Sequence, residues 1–139
     1  MTKPAARVQV SWDGDFRFSG RRAEGGPSIQ LDGKAVAGPS PVDTLLIALA
    51  SCTGIDVTDI LAKRRTPVQS LDIAVVGERA PTTPARLTSI QLIYDLVGPD
   101  VERVHAIRAI ELAIGKYCSV RDSLDPATPI TFTLVLNGE

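Results

Sequence analysis

The stretch GPSPVDTLLIALASCTGIDV, residues 38–57, decides the fold because it predicts the start of one long and very apolar helix. Ser40 can cap this helix, Pro41 suits its first position, and Asp43 can bond back to the cap and complement the positive helix end. A helix that is apolar on nearly every side must be buried on nearly every side. It is too apolar for a chain of 139 residues to bury alone, which suggests that a second subunit covers it.

The segments on both sides of the helix alternate between apolar and polar residues, and this alternation predicts strands. Three strands precede the helix, two follow it, and a second helix, a short helix and a final strand complete the chain. The predicted ranges are 7–13, 16–21, 28–32, 70–79, 86–97 and 130–136 for the strands, and 101–117 and 119–124 for the later helices. This order predicts one α+β domain over residues 1–139, with antiparallel sheet packed against the long central helix.

The charge is nearly balanced, with 15 basic and 16 acidic residues. Nucleic acids and anionic membranes require clustered Lys and Arg, so neither is predicted as a partner. The N-terminus has no apolar segment of signal-peptide length, and the longest apolar run, residues 45–50, is far shorter than the roughly 20 residues that span a bilayer. We therefore expect a soluble, cytoplasmic protein whose two cysteines do not form a permanent structural disulfide.

Cys52 and Cys118 have the most distinctive chemistry in the chain. Cys52 lies within the long helix among small neighbours that let a ligand approach the sulfur, and Cys118 lies at the end of the second amphipathic helix. Each could instead pack as a small, inert hydrophobic residue. Zinc needs about four ligands, and the chain offers these two cysteines and one histidine, His105, so no metal or other cofactor is predicted. We expect His105 on a solvated helix surface.

Residues 38–57 strongly resemble the OsmC/Ohr family, the osmotically induced and organic hydroperoxide resistance proteins. KYCSV at residues 116–120 looks like the second cysteine motif of that family, and the order of strands and helices is similar as well. The likeness is greatest to the subgroup whose long helix carries GPSP and CT. The resemblance implies an OsmC-like intertwined homodimer with active sites at the subunit interface. It also implies that Cys52 is the peroxidatic residue and Cys118 the resolving residue.

The chemistry of a thiol pair agrees with those roles. A thiolate attacks a peroxide oxygen and becomes a sulfenic acid, and a second thiol condenses with it to form a disulfide. An external dithiol must then reduce the disulfide, and the resemblance implies a lipoyl-type dithiol for close Ohr relatives. Because the neighbours of Cys52 are apolar, a bulky organic hydroperoxide is expected as substrate rather than hydrogen peroxide.

A reactive thiolate in an apolar site needs a nearby positive charge, because burial alone raises the pKa of a thiol. The resemblance implies an arginine from the N-terminal strands, and Arg17, Arg21 and Arg22 are the candidates. Arg17 and Arg21 share one face of their strand, since they are four residues apart. Each of them could equally be a solvated strand residue, so the choice stays open.

Position 42 departs from the family pattern. The better-known hydroperoxide reductases place a glutamate directly after the proline that starts the long helix, whereas this chain has Val42 there and Asp43 next. Asp43 could replace that glutamate, although its capping role accounts for it without catalysis. Asp56 lies one helical turn after Cys52, where it either pairs with an arginine or with Lys116, or lies in solvent.

The predicted function is therefore a thiol-dependent peroxidase, an antioxidant enzyme that acts on organic hydroperoxides. One alternative is a non-enzymatic module that holds an apolar ligand in the pocket of small residues beside Cys52, and the absent glutamate favours it. A further alternative is a structural dimer with two inert, buried cysteines.

Overall fold

A computed structural model describes residues 2–139, which form two compact units, one up to Leu45 and one from Leu46 to Glu139. The elements are β1 (Val8–Gly14), β2 (Arg17–Arg22), β3 (Ile29–Asp32), α1 (Pro41–Lys63), β4 (Ser70–Arg79), β5 (Leu87–Val97), α2 (Arg103–Leu112), a π-helical turn (Ala113–Tyr117), α3 (Ser119–Asp122) and β6 (Ile130–Leu136). The predicted α+β class is confirmed, with two small sheets and one long helix.

The first unit is an antiparallel meander in the order β1-β2-β3, as the alternation predicts. Trp12 lies opposite Phe18 across β1 and β2, and Phe18 lies opposite Leu31 across β2 and β3. Directly opposed residues of an antiparallel pair point to the same face, so these side chains form one apolar face. That face is largely uncovered in the single chain, where Trp12 is 67% exposed.

The start of α1 lies where the sequence predicts it. The backbone N–H of Ser40 donates to the Asp43 carboxylate at 3.0 Å, and the N–H of Asp43 donates to the Ser40 hydroxyl oxygen at 3.1 Å. These two reciprocal bonds form a capping box, which satisfies two backbone donors that the first turn would otherwise leave unpaired.

The loop before α1 is wrapped around the buried carboxylate of Asp32. The backbone N–H groups of Lys34 and Ala37 each donate to this carboxylate at 2.9 Å. These backbone bonds, that of Ala37 foremost, lower the pKa of Asp32 below its ordinary value. Gly38 closes the loop, since a Cβ there would lie 2.8 Å from the carbonyl oxygen of Gln30. The glycine of the GPSP motif is therefore required for this close backbone approach.

The second unit contains a sheet in the order β4-β5-β6. β4 and β5 pair antiparallel, as predicted, but β6 pairs parallel with β5, so antiparallel pairing throughout was wrong for the last strand. The physical reason is the connection. The helical segments α2, the π-helical turn and α3 carry the chain back across the sheet after β5, and such a crossover returns the next strand in the same direction.

The core of the second unit lies between α1, α2 and β5. The buried residues of α1 recur every three or four positions, as one face of a helix requires; they are Leu49, Ala50, Thr53, Gly54, Val57 and Leu61. On β5 the alternate residues Leu92, Tyr94 and Leu96 are fully buried. A Cβ at Gly54 would lie 3.2 Å from the Ile73 side chain, so this glycine lets α1 approach β4 closely.

By length and composition alone, the 23-residue helix α1 could cross a membrane. Its uninterrupted apolar run, residues 45–50, is much shorter than the helix itself. The regular spacing of its buried residues, and their place in the core with β5, identify α1 as the core helix of a soluble fold.

Candidate functional site

The structure brings the two cysteines together. Cys52 lies in the middle of α1, Cys118 follows the π-helical turn, and the Cys52 sulfur lies within hydrogen-bonding reach of the Cys118 thiol. Both thiols are free, and their burial differs, because Cys118 is 3% exposed whereas Cys52 is half-buried. The two thiols therefore belong to one site, in which one sulfur is buried and the other is partly accessible.

The π-helical turn Ala113–Tyr117 positions Cys118. The sequence predicts an uninterrupted helix through residue 117, but the N–H of Cys118 donates to the carbonyl of Ala113, five residues earlier, at 2.9 Å. Such a turn is wider than an α-helical turn and occurs often at functional sites. No simple residue pattern announces it, so sequence reasoning missed it.

Cys118 also serves as the N-cap of the short helix α3. The backbone N–H of Arg121 donates to the Cys118 sulfur at 3.2 Å. Burial, reinforced by the neighbouring Cys52, outweighs this stabilisation of the thiolate and raises the pKa of Cys118 to about 11. Cys118 is therefore a protonated thiol near neutral pH, which leaves Cys52 as the candidate nucleophile. The predicted roles of attacker and resolver remain predictions.

A buried hydroxyl pair lies beside the two thiols. The hydroxyl of Tyr94, on β5, and that of Thr53, next to Cys52, are 2.7 Å apart, and both residues are fully buried. Thr53 has a single hydroxyl hydrogen, which it donates to the carbonyl of Ala50 at 3.0 Å, so the Tyr94 hydroxyl is the donor between the two. Burial raises the pKa of Tyr94 to about 12. Neither residue was predicted, because only the fold brings them together.

A cavity of about 450 Å³ opens beside Cys118 in the second unit. Its walls include Ile114, Gly115, Lys116, Cys118, Leu124 and Ile130. The guanidinium of Arg121 holds the loop that forms one wall, because it donates to the carbonyls of Asp125 and Thr128 at 3.0 and 3.1 Å. Arg121 was also missed by sequence reasoning, which placed the functional arginine in the N-terminal strands.

The predicted arginines all lie in the first unit. Arg17 is exposed and lies opposite Asp32 across β2 and β3. The guanidinium of Arg21 donates to the carbonyl of the next residue at 2.9 Å, and Arg22 lies 3.8 Å from the Glu24 carboxylate. The thiols belong to the second unit, so the activation of Cys52 by one of these arginines stays a prediction.

The predicted acidic residues occupy different settings. The Asp43 carboxylate is engaged in the capping box, which is the role that its geometry supports. Asp56 is half-buried, and within residues 2–139 it forms no ion pair with a basic side chain. The ammonium group of Lys116 instead lies 5.4 Å from the centre of the Tyr117 ring.

In the part of the chain that the structure describes, no three His, Cys, Asp or Glu side chains cluster where they could hold a metal ion. His105 is half-buried rather than fully solvated, and its Nε2 lies 3.3 Å from the Glu102 carboxylate one turn earlier on the helix surface.

The fold combines two small sheets with a long core helix that carries one thiol, and a π-helical turn presents the second thiol. These features define a class of α+β proteins with two neighbouring thiols. Within that class, a protein-family model described as OsmC-like protein matches residues 31–133. The chain belongs to the OsmC-like family, as its cysteine motifs predict.

Known relatives agree in sequence and in fold. Protein YhfA of Escherichia coli K12 is 34% identical over 126 residues, which are 90% of this chain and 93% of YhfA. The crystal structure of a hypothetical protein from Aquifex aeolicus VF5 is 28% identical, with a TM-score of 0.82 over 96% of this chain and 98% of that one. The organic hydroperoxide resistance protein OhrB of Bacillus subtilis shares the fold, at 13% identity and a TM-score of 0.62 over 94% of this chain and 98% of OhrB.

Proposed function

We propose that this protein is a thiol-dependent peroxidase that reduces organic hydroperoxides. The observation that carries the proposal is the contact between Cys52 and Cys118, two free thiols of unequal burial. The proposal is supported by OhrB, which is named for organic hydroperoxide resistance and has the same fold.

The proposed reaction uses each thiol once. The Cys52 thiolate attacks the terminal peroxide oxygen, the O–O bond breaks, and an alcohol leaves after the alkoxide takes up a proton. The resulting sulfenic acid is attacked by the Cys118 sulfur, which loses its proton as water is released and the Cys52–Cys118 disulfide forms. An external dithiol then reduces the disulfide, as is typical of cytoplasmic thiol chemistry.

We propose that the active form is a homodimer. The outer face of α1 around Cys52 is apolar and uncovered in the single chain, where Ile55 is 67% exposed. The apolar face of the first sheet is uncovered as well. Exposed apolar surface of this kind marks an association surface, and a second copy could also supply the positive charge that a Cys52 thiolate requires. Analytical ultracentrifugation should give twice the mass of the chain.

The test of the activity is a reaction of reduced protein with cumene hydroperoxide. Two thiols per chain should be consumed as the Cys52–Cys118 disulfide forms, and peptide mapping identifies the bond. Cys52→Ser should abolish turnover, whereas Cys118→Ser should accumulate a sulfenic acid that dimedone traps. The matched control is Ser51→Ala, which changes the exposed neighbour of Cys52 on the same helix. Full turnover by Cys52→Ser would refute the proposal.

A second candidate function is the binding of an apolar ligand without catalysis. It is favoured by Val42 at the position of the expected glutamate and by the engagement of Asp43 in the helix cap. Saturable binding of an alkyl compound, together with no peroxide consumption by the reduced protein, would favour this function over the peroxidase.

A further inference from the structure

The two sulfurs of the pair face different surroundings. Cys52 is half-buried on α1, next to the exposed Ser51 and near the exposed Ile55. Cys118 is buried but forms part of the wall of the 450 Å³ cavity. Within residues 2–139, the walls of this cavity include Cys118 and not Cys52. A molecule in the cavity therefore has Cys118 as its nearest sulfur.

We propose that the cavity beside Cys118 is the binding site of the reducing dithiol, which attacks the Cys118 sulfur of the disulfide rather than the Cys52 sulfur. This inference rests on the proposed peroxidase function and adds the route of the reductant. The peroxide would then meet Cys52 at the proposed subunit interface, and the reductant would meet Cys118 in the cavity.

The leaving group favours the same sulfur. Thiol–disulfide exchange is faster when the departing thiol is the more acidic of the two. Burial raises the pKa of Cys118 to about 11, so the Cys118 thiolate is a poor leaving group. Attack on Cys52 would expel that poor leaving group in the first step, whereas attack on Cys118 would not.

The exchange is balanced in two steps. A thiolate of the reductant forms a bond to the Cys118 sulfur, the Cys52–Cys118 bond breaks, and Cys52 leaves with the electron pair as a thiolate. The second thiol of the reductant then attacks its own sulfur in the mixed disulfide, and Cys118 leaves and takes up a proton. The dithiol is oxidised to a cyclic disulfide by two electrons, and the protein regains two reduced cysteines.

Two features of the cavity suit these steps. Its volume lies within the range of small-molecule sites, and Ile114, Leu124 and Ile130 offer apolar contact to the alkyl carbons of a short dithiol. When Cys118 departs in the second step, the backbone N–H of Arg121 already donates to its sulfur. This bond stabilises the negative charge that develops there.

Gly115 offers a way to obstruct the cavity without touching either sulfur. It forms part of the wall, its backbone does not need the left-handed region, and a Cβ added there would meet nothing within 4 Å. Gly115→Phe should therefore place a bulky side chain at the wall of the cavity without a clash at its Cβ. Gly115→Ala is the matched control, because it changes the backbone preference in the same way but adds a single methyl group.

The first experiment maps the attacked sulfur in the wild-type chain. Diamide forms the Cys52–Cys118 disulfide without any peroxide. The oxidised protein is exposed briefly to 2-mercaptoethanol, quenched with acid and alkylated. Peptide mass spectrometry then shows which cysteine carries the mixed disulfide. We expect the adduct on Cys118 to exceed that on Cys52 by about tenfold or more. An adduct mainly on Cys52 would overturn the inference.

The second experiment compares the two half-reactions in the variants. Gly115→Phe should slow the reduction of the disulfide by dithiothreitol about tenfold more than it slows oxidation by cumene hydroperoxide, because it restricts access to one sulfur. Gly115→Ala should show a smaller difference. Equal slowing of both half-reactions, or none, contradicts a separate reductant site. If Gly115→Phe does not fold, the map of the mixed disulfide still tests the inference. If hydroperoxide fails to form the disulfide that diamide forms, the peroxidase proposal is contradicted, while the site of reductant attack can still be measured.

Discussion

The hydrogen bond between Tyr94 and Thr53 predicts an unequal response to the loss of its two partners. In Tyr94→Phe, the hydroxyl of Thr53 still donates to the carbonyl of Ala50, so no buried donor is left unpaired. The loss is one ordinary hydrogen bond, about 1 kcal/mol of the free energy of unfolding. For a domain of this size, that lowers the Tm by roughly 3 °C.

Thr53→Val keeps the shape of the side chain but removes the acceptor of the Tyr94 hydroxyl. Tyr94 is fully buried, so its donor then has no partner, and the expected cost is about 2–3 kcal/mol. The double variant removes both hydroxyls and should cost about as much as Tyr94→Phe alone, since no buried donor is then left without a partner.

The measurement is urea denaturation followed by far-UV circular dichroism, because Trp12 is too exposed to report on the core by fluorescence. Equal m values are required for the comparison of the four proteins. A coupling energy near zero between Tyr94→Phe and Thr53→Val would show that the two hydroxyls act independently. A Thr53→Val variant that is no less stable than Tyr94→Phe would show that no buried donor is left unpaired. Either outcome refutes the assignment of Tyr94 as the donor.

Two further predictions concern Cys118 and Gly38. Because the pKa of Cys118 is raised from 9.0 to about 11, the unfolded chain releases that proton at a lower pH than the folded chain. Stability should therefore fall as the pH rises from 9 towards 11, and the fall should be shallower in Cys118→Ala, as pH-dependent denaturation would reveal. Gly38→Ala places a Cβ 2.8 Å from the backbone oxygen of Gln30, which cannot move as a side chain does, and should cost about 1–3 kcal/mol. Gly115→Ala, with open space at its Cβ, is the control, and equal melting temperatures for the two variants would contradict this account.

Much of the fold can be predicted from the sequence because its signals are local. The capping residues Ser40 and Asp43 fix the start of α1, and alternation alone identifies β4 and β6 with their observed bounds. The direction of β6 is not local, because it depends on the path of the whole segment between the strands. That is why the parallel pairing with β5 could not be predicted from the composition of either strand.

The candidate site divides in the same way. The two cysteines are conspicuous by residue type and by their motifs, whereas Tyr94 and Thr53 look like ordinary strand and helix residues until the core is assembled. Arg121 is equally inconspicuous, since its guanidinium binds backbone carbonyls, which any residue provides. The activation of a thiol by an N-terminal arginine depends on contacts between parts of the chain distant in sequence, which local patterns do not encode.

The π-helical turn before Cys118 sets the position of its sulfur through the number of residues in the turn. The contact with Cys52 therefore depends on the length of this segment rather than on the identity of any one residue in it. If a residue were deleted between Ala113 and Tyr117, the turn could close as an ordinary α-helix, and each residue of register rotates the downstream segment by about 100°. The Cys118 sulfur would then move away from the Cys52 sulfur, although every side chain around it was retained. Family members that differ by a single insertion or deletion in this segment should therefore differ in whether they can close the disulfide at all.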